Sequence, residues 1–150
     1  HIELIDHCKK NNIKFLSTPF DVNSIDLLMS LDIPLFKIPS GEITNFPYLE
    51  YIGKKSKPII MSSGMASLSE VGQALEVLIN SGSQIEDITV LHCNTEYPTP
   101  MEDVNLSAMI TIKKEYGQQN FSRNVLVELS LLLIWWKLTL AKLLQSRARR

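Results

Sequence analysis

Four times in succession along this chain, a short apolar run of β type gives way to a stretch with helical spacing. The runs occupy residues 13–17, 35–40, 58–63 and 88–93, so their starts lie about 22, 23 and 30 residues apart. One helical pattern, at 2–11, precedes them, and others follow at 24–31, 45–55, 67–81 and 105–116. Strict alternation of this kind predicts parallel strands joined by crossover helices, hence an α/β fold. The runs are apolar throughout rather than at every second residue, as expected of a sheet covered on both faces. Helix ends carry local signals. Asn11-Asn12 stops the first helix, Ser24 is expected to cap the second, and Asp32 ends it. Pro47 is tolerated in the first turn of the third helix. Ser67 followed by Glu70 is a capping box, and Gly82 stops the helix that it opens.

Two architectures fit this rhythm, an open doubly wound sheet and a (β/α)8 barrel. No Gly-x-Gly-x-x-Gly or Gly-x-x-x-x-Gly-Lys loop follows a strand, which weighs against a nucleotide-binding open sheet. Polar residues stand instead at all four strand exits: Thr18, Lys37 with Ser40, Ser62 with Ser63, and Asn94 with Thr95. Barrels gather ligand groups from several strand ends in this way. A whole barrel takes about 250 residues, and this chain has 150. The expected fold is therefore a partial TIM (β/α)8 barrel. The opening on His1, in the middle of a helical pattern, points to a piece of a longer protein.

A net charge of −1 gives no support to a nucleic-acid surface. Cys8 and Cys93 form no disulfide framework, and with no signal-peptide pattern they are read as reduced thiols in the cytoplasm. His92 is expected in the core or behind a site, and His1 and His7 at the surface.

The densest chemistry lies in Phe36-Lys37-Ile38-Pro39-Ser40-Gly41-Glu42. Lys37 offers a point charge suited to a phosphate or carboxylate. Ser40 adds a hydroxyl, Gly41 lets backbone come close to a ligand, and Glu42 can accept hydrogen bonds from hydroxyls. Taken alone, the same heptapeptide also reads as a strand, a turn and a surface Lys–Glu pair.

Four exits taken together carry more. Ser17-Thr18-Pro19-Phe20-Asp21, the heptapeptide above, Ile60-Met61-Ser62-Ser63-Gly64-Met65 and His92-Cys93-Asn94-Thr95-Glu96-Tyr97-Pro98-Thr99-Pro100 resemble the sialic acid synthase family. That family includes N-acetylneuraminate synthases and the related legionaminic and pseudaminic acid synthases. The likeness covers roughly residues 1–117. It implies a TIM barrel of which this chain holds about strands 3 to 6 with their helices. It also implies condensation of phosphoenolpyruvate with an N-acylated hexosamine, typically N-acetylmannosamine, with release of phosphate. By resemblance Thr18, Lys37 and Ser40 hold phosphoenolpyruvate, as does one of Asn94 and Thr95. Glu42 and Tyr97 match positions that contact the amino sugar. Ser62, Ser63 and Met65 are expected only to shape their exit loop.

The resemblance further implies a divalent cation, Mn²⁺ or Mg²⁺, and a homodimer in the full-length proteins, with no nucleic-acid or membrane partner. The family's histidine ligands lie in Ser-Asp-His and Glu-Lys-His-Phe contexts, and no histidine follows residue 117 here. No metal ligand is assigned in this chain. Residues 1–120 are read as a partial synthase barrel domain and 121–150 as an atypical Leu/Trp-rich, basic tail. A membrane span in the tail would have to carry Glu128, Lys137 and Lys142. A basic amphipathic helix is a second reading, and out-of-frame translation, the favoured one, a third. The chain alone is expected to be inactive. The alternatives in function are another phosphoenolpyruvate-dependent barrel aldolase, of the 3-deoxy-heptulosonate kind, and a non-catalytic binding fragment.

Overall fold

The computed structural model describes residues 1–96 and 99–116, together with the backbone of 125–127. The elements run α1 (Ile2–Lys10), α2 (Val22–Ser30), β1 (Phe36–Ile38), α3 (Phe46–Gly53), β2 (Ile59–Ser62), α4 (Leu68–Asn80), β3 (Ile88–His92), α5 (Ser107–Tyr116) and β4 (Val125–Val127). A single turn of 3-10 helix, Ser40–Glu42, follows β1. The four strands make one parallel sheet in the spatial order β1-β2-β3-β4. All strand exits therefore lie at the same end.

Register divides the side chains into two rows. Phe36 pairs with Ile59 and Ile59 with Ile88, while Lys37 lies beside Ile60 and Ile60 beside Thr89. Successive residues of a strand face opposite sides. Phe36, Ile38, Ile59, Met61, Ile88 and Val90 are at most 1% exposed and join Leu49, Ile52, Ala74 and Leu78 of α3 and α4 in one core. Lys37, Ile60, Thr89 and Leu91 on the other row are only half-buried. Among the described residues, then, the helices cover one face of the sheet, where the apolar runs predicted cover on both.

The helix signals work as their chemistry dictates, with one correction. At α4, Ser67 Oγ accepts from the Glu70 N–H at 3.3 Å and Glu70 Oε2 accepts from the Ser67 N–H at 2.7 Å, the predicted capping box. Asp21, not Ser24, caps α2: its Oδ1 accepts the Ser24 N–H at 2.7 Å. That bond also holds the Asp21 carboxyl below its ordinary range, a charge well placed at the positive end of a helix. Asn12 and Asp32, with φ of 53° and 51°, turn the chain out of α1 and α2, a conformation Asn and Asp tolerate better than most residues. Asn45 caps α3, with Pro47 in its first turn. Two ion pairs strap α2 and the turn after it to the residues that follow α3: Lys55 to Asp26 at 2.8 Å and Lys57 to Asp32 at 2.9 Å. At the α3–α4 crossing no side chain fits on Gly53, because its Cβ would stand 2.7 Å from Ser81 Cβ and 2.9 Å from the Leu78 carbonyl oxygen.

Two strand expectations are corrected. Residues 13–17 form no strand, and Ile13 and Leu16 are 62% and 44% exposed. A strand exists only through its ladder, and among the described residues β1 pairs with β2 alone. Conversely, Val125–Val127 pairs in parallel with β3, Val90 opposite Val125 and His92 opposite Val127, within a tail where no strand was expected. The other readings of 121–150 fall outside the described residues. Among the described residues no helix is long and apolar enough to cross a membrane.

Candidate functional site

Three strand exits meet at one glycine. Gly64, after β2, has a φ of +38°, and a Cβ added there would collide with Cβ and Oγ of Ser40 and come within 3.5 Å of Thr95 Cγ2. The close approach thus belongs to Gly64, whereas nothing lies within 4 Å of where a Cβ on Gly41 would be. Ser40 and Thr95, from the exits of β1 and β3, are brought together across it. Lys37 stands on β1 just before this turn, on the half-buried row. Its side chain forms no ion pair or hydrogen bond with a described residue, in contrast to Lys55 and Lys57.

Glu42 closes the same turn. Its Oε2 accepts from Asn45 Nδ2 at 2.7 Å, and its backbone carbonyl accepts from the Asn45 N–H at 3.1 Å. In the β3 exit, Asn94 Oδ1 accepts from the Thr95 N–H at 2.7 Å and the Glu96 N–H at 3.4 Å, an Asx-type turn. Asn94 thereby spends its carbonyl oxygen on its own loop, and Thr95 is the member of the pair whose side chain stands beside Gly64.

Pro19, the residue after Thr18, is tied to α3 by a contact that sequence reading missed. The Tyr48 hydroxyl, on α3, donates to the carbonyl oxygen of buried Pro19 at 2.7 Å. Burial, and then the charges of Glu42 and Asp21, push the Tyr48 phenol well above its ordinary range, so it stays a donor. A tyrosine at a helix N-terminus announces no such contact, because its acceptor is 29 residues earlier. Tyr97 lies outside the described residues. Ser62 and Ser63 are each 4% exposed; the Ser63 N–H donates to the Leu91 carbonyl at 2.9 Å and its carbonyl accepts from the Ala66 N–H at 2.7 Å, which ties the loop after β2 to β3.

A cleft of about 290 Å³ opens on the other side of Gly64, between α4 and the start of α5, with Ser63, His92, Asn105, Ser107 and Thr111 in its wall. His92 is half-buried there. None of Lys37, Ser40, Glu42 or Thr95 lines this cleft. Cys8 and Cys93 are half-buried and form no disulfide.

The strand ends of this parallel sheet carry a lysine, hydroxyls from two exits and a hydrogen-bonded carboxylate, at the end where α/β proteins gather their ligand groups. The chain belongs to the NeuB family, whose model matches residues 1–121. It is 52% identical over 134 residues to the N,N'-diacetyllegionaminic acid synthase of Campylobacter jejuni, a match covering 87% of this chain and 40% of that protein. Among solved structures, the spore coat polysaccharide biosynthesis protein spsE of Bacillus subtilis superposes with a TM-score of 0.74 at 32% identity, over 84% of this chain and 33% of that one. The N-acetylneuraminic acid (sialic acid) synthetase of Leptospira borgpetersenii, crystallised with citrate, gives 0.71 at 35% identity, over 77% of this chain and 39% of that one. The chain thus spans well under half the length of these relatives.

Proposed function

We propose that this chain is part of a sialic acid synthase-like enzyme, condensing phosphoenolpyruvate with N-acetylmannosamine or a related N-acylated hexosamine and releasing phosphate. Lys37 carries the reading: a half-buried cation at a strand end, unpaired among the described residues and flanked by Ser40. An unpaired lysine ammonium is a point charge suited to a phosphate or carboxylate. Phosphoenolpyruvate offers phosphate and carboxylate side by side, which suits one lysine ringed by hydroxyl and amide donors. Thr18, Ser40 and Thr95 or Asn94 are those donors. Glu42 accepts from the sugar's hydroxyls, and Tyr97 takes its ring face. The work of these residues is positioning: they hold the enol carbon against the sugar's carbonyl carbon, where the new C–C bond forms.

The half-buried row of the sheet supports a partial (β/α)8 barrel spanning residues 1–120, since in a closed barrel one row of every strand faces the interior. A divalent cation would polarise the sugar aldehyde when bound. Among the described residues no three His, Cys, Asp or Glu side chains converge, so these residues do not fit that ion by themselves. Family membership favours the synthase over the heptulosonate-type aldolase.

The test is a graft. Residues 1–116 replace the matching segment of the Campylobacter jejuni synthase, and phosphate release is measured with both ligands titrated. Lys37→Ala in an active graft should weaken phosphoenolpyruvate binding by about 10- to 150-fold, the range for one charge-assisted contact, with little change for the sugar. Equal weakening of both ligands would show that Lys37 has another role. The 150-residue chain alone should release no phosphate with Mn²⁺ and both substrates.

A further inference from the structure

Resting on the reading of Glu42 as a sugar contact, we propose that Asn45 is a positioning residue for the substrate, aiming the Glu42 carboxylate with one end of its side chain while capping α3 with the other. The two ends are chemically different. Oδ1 accepts the Tyr48 N–H at 3.4 Å, and Nδ2 donates to Glu42 Oε2 at 2.7 Å. The cap is the longer bond by far, so capping alone does not account for an amide at this position. Asp caps a helix as well as Asn does, but only the amide has a donor to give a carboxylate.

The geometry fixes Glu42 at two points. Its carbonyl oxygen takes the Asn45 N–H, and its Oε2 takes the Asn45 side chain. Among the described residues the carboxylate has no other hydrogen-bond partner. An ionised carboxylate offers about four acceptor sites, so Oε1 and the rest of Oε2 stay open for ligand hydroxyls. A free glutamate side chain would lose rotamer entropy on gripping a sugar. With Asn45 in place, that ordering precedes binding, and the effect is on affinity for the sugar alone.

Asn45→Asp keeps an oxygen for the cap and removes the donor, whereas Asn45→Ala removes both. In the active graft, Asn45→Asp should raise the sugar KM about 10-fold, leaving the phosphoenolpyruvate KM and the thermal midpoint near wild type. Asn45→Ala should raise the sugar KM and lower the midpoint. A purely structural role would move KM and midpoint together in both. A second readout needs no activity: in the 150-residue chain, the Asn45 side-chain NH₂ resonances should shift when Glu42 is changed to Ala. Unmoved resonances, or a sugar KM unchanged in Asn45→Asp, would overturn the assignment of Asn45 alone. A graft that folds but turns over nothing would overturn the synthase reading, and this inference with it.

Discussion

The two faces of the sheet are built from the same short strands and serve opposite ends. Phe36 and Ile38 are fully buried under the helices, while Lys37 between them is half-buried and unpaired among the described residues. The covered face is apolar and close-packed, and each large side chain there contributes about 1.5–3 kcal/mol through burial. The other face carries a cation that burial would penalise. One residue's step along β1 thus separates what holds the fold from the residue proposed to meet a ligand.

That contrast can be broken most directly by truncation. Phe36→Ala should cost about 3–5 kcal/mol in urea unfolding, whereas Lys37→Ala should leave the midpoint within about 0.5 kcal/mol of wild type. Similar losses at the two positions would dissolve the distinction. Tyr48→Phe should come next, at about 1–3 kcal/mol, because it strands the buried Pro19 carbonyl. It also sharpens the contrast through pH. Burial and the nearby charges of Glu42 and Asp21 raise the Tyr48 pKa from 10.0, so the folded state holds the phenolic proton more tightly than the unfolded one. The resulting stability is whole below pH 10 and is lost as pH rises beyond it. Tyr48→Phe should flatten that alkaline decline, and an unchanged slope would assign it to another group. The smallest effect is expected at Asp26. Hydrogen bonds from Lys55 and Tyr51 lower its pKa from 3.8, so its contribution is present above that value and fades as pH falls below it. Asp26→Asn should shift acid unfolding only slightly, and less still in high salt, as an exposed pair should. A shift larger than that of Tyr48→Phe would invert the order.

Local chemistry was readable where it is self-sufficient. Ser67 and Glu70 satisfy each other within one turn, and the runs at 35–40, 58–63 and 88–93 contain β1, β2 and β3. Where the outcome depends on a distant neighbour, the residues were silent or misleading. Ile13 to Ser17 looks like a strand but lacks a ladder among the described residues, and Val125–Val127 forms one because β3 offers it an edge. Ser24 is a good capping residue, yet Asp21 reaches its N–H first. At the candidate site, Lys37, Ser40 and Glu42 stand out by residue type within one heptapeptide. Gly64 as the meeting point, Tyr48 as the tie to Pro19 and Asn45 as the holder of Glu42 are products of three-dimensional proximity.

The spatial order of the strands follows their order in the chain, and this bears on how the protein is made. A ribosome adds about 5–20 residues per second, while a helix forms in about a microsecond. Between the emergence of Phe36 and that of Ile59, helix α3 therefore has time to form and wait. Among the described strands, each new one finds the edge of its predecessor already in place. The nascent polypeptide can be assembled like masonry, course upon course, with the Lys37 row finished on every course as it is laid.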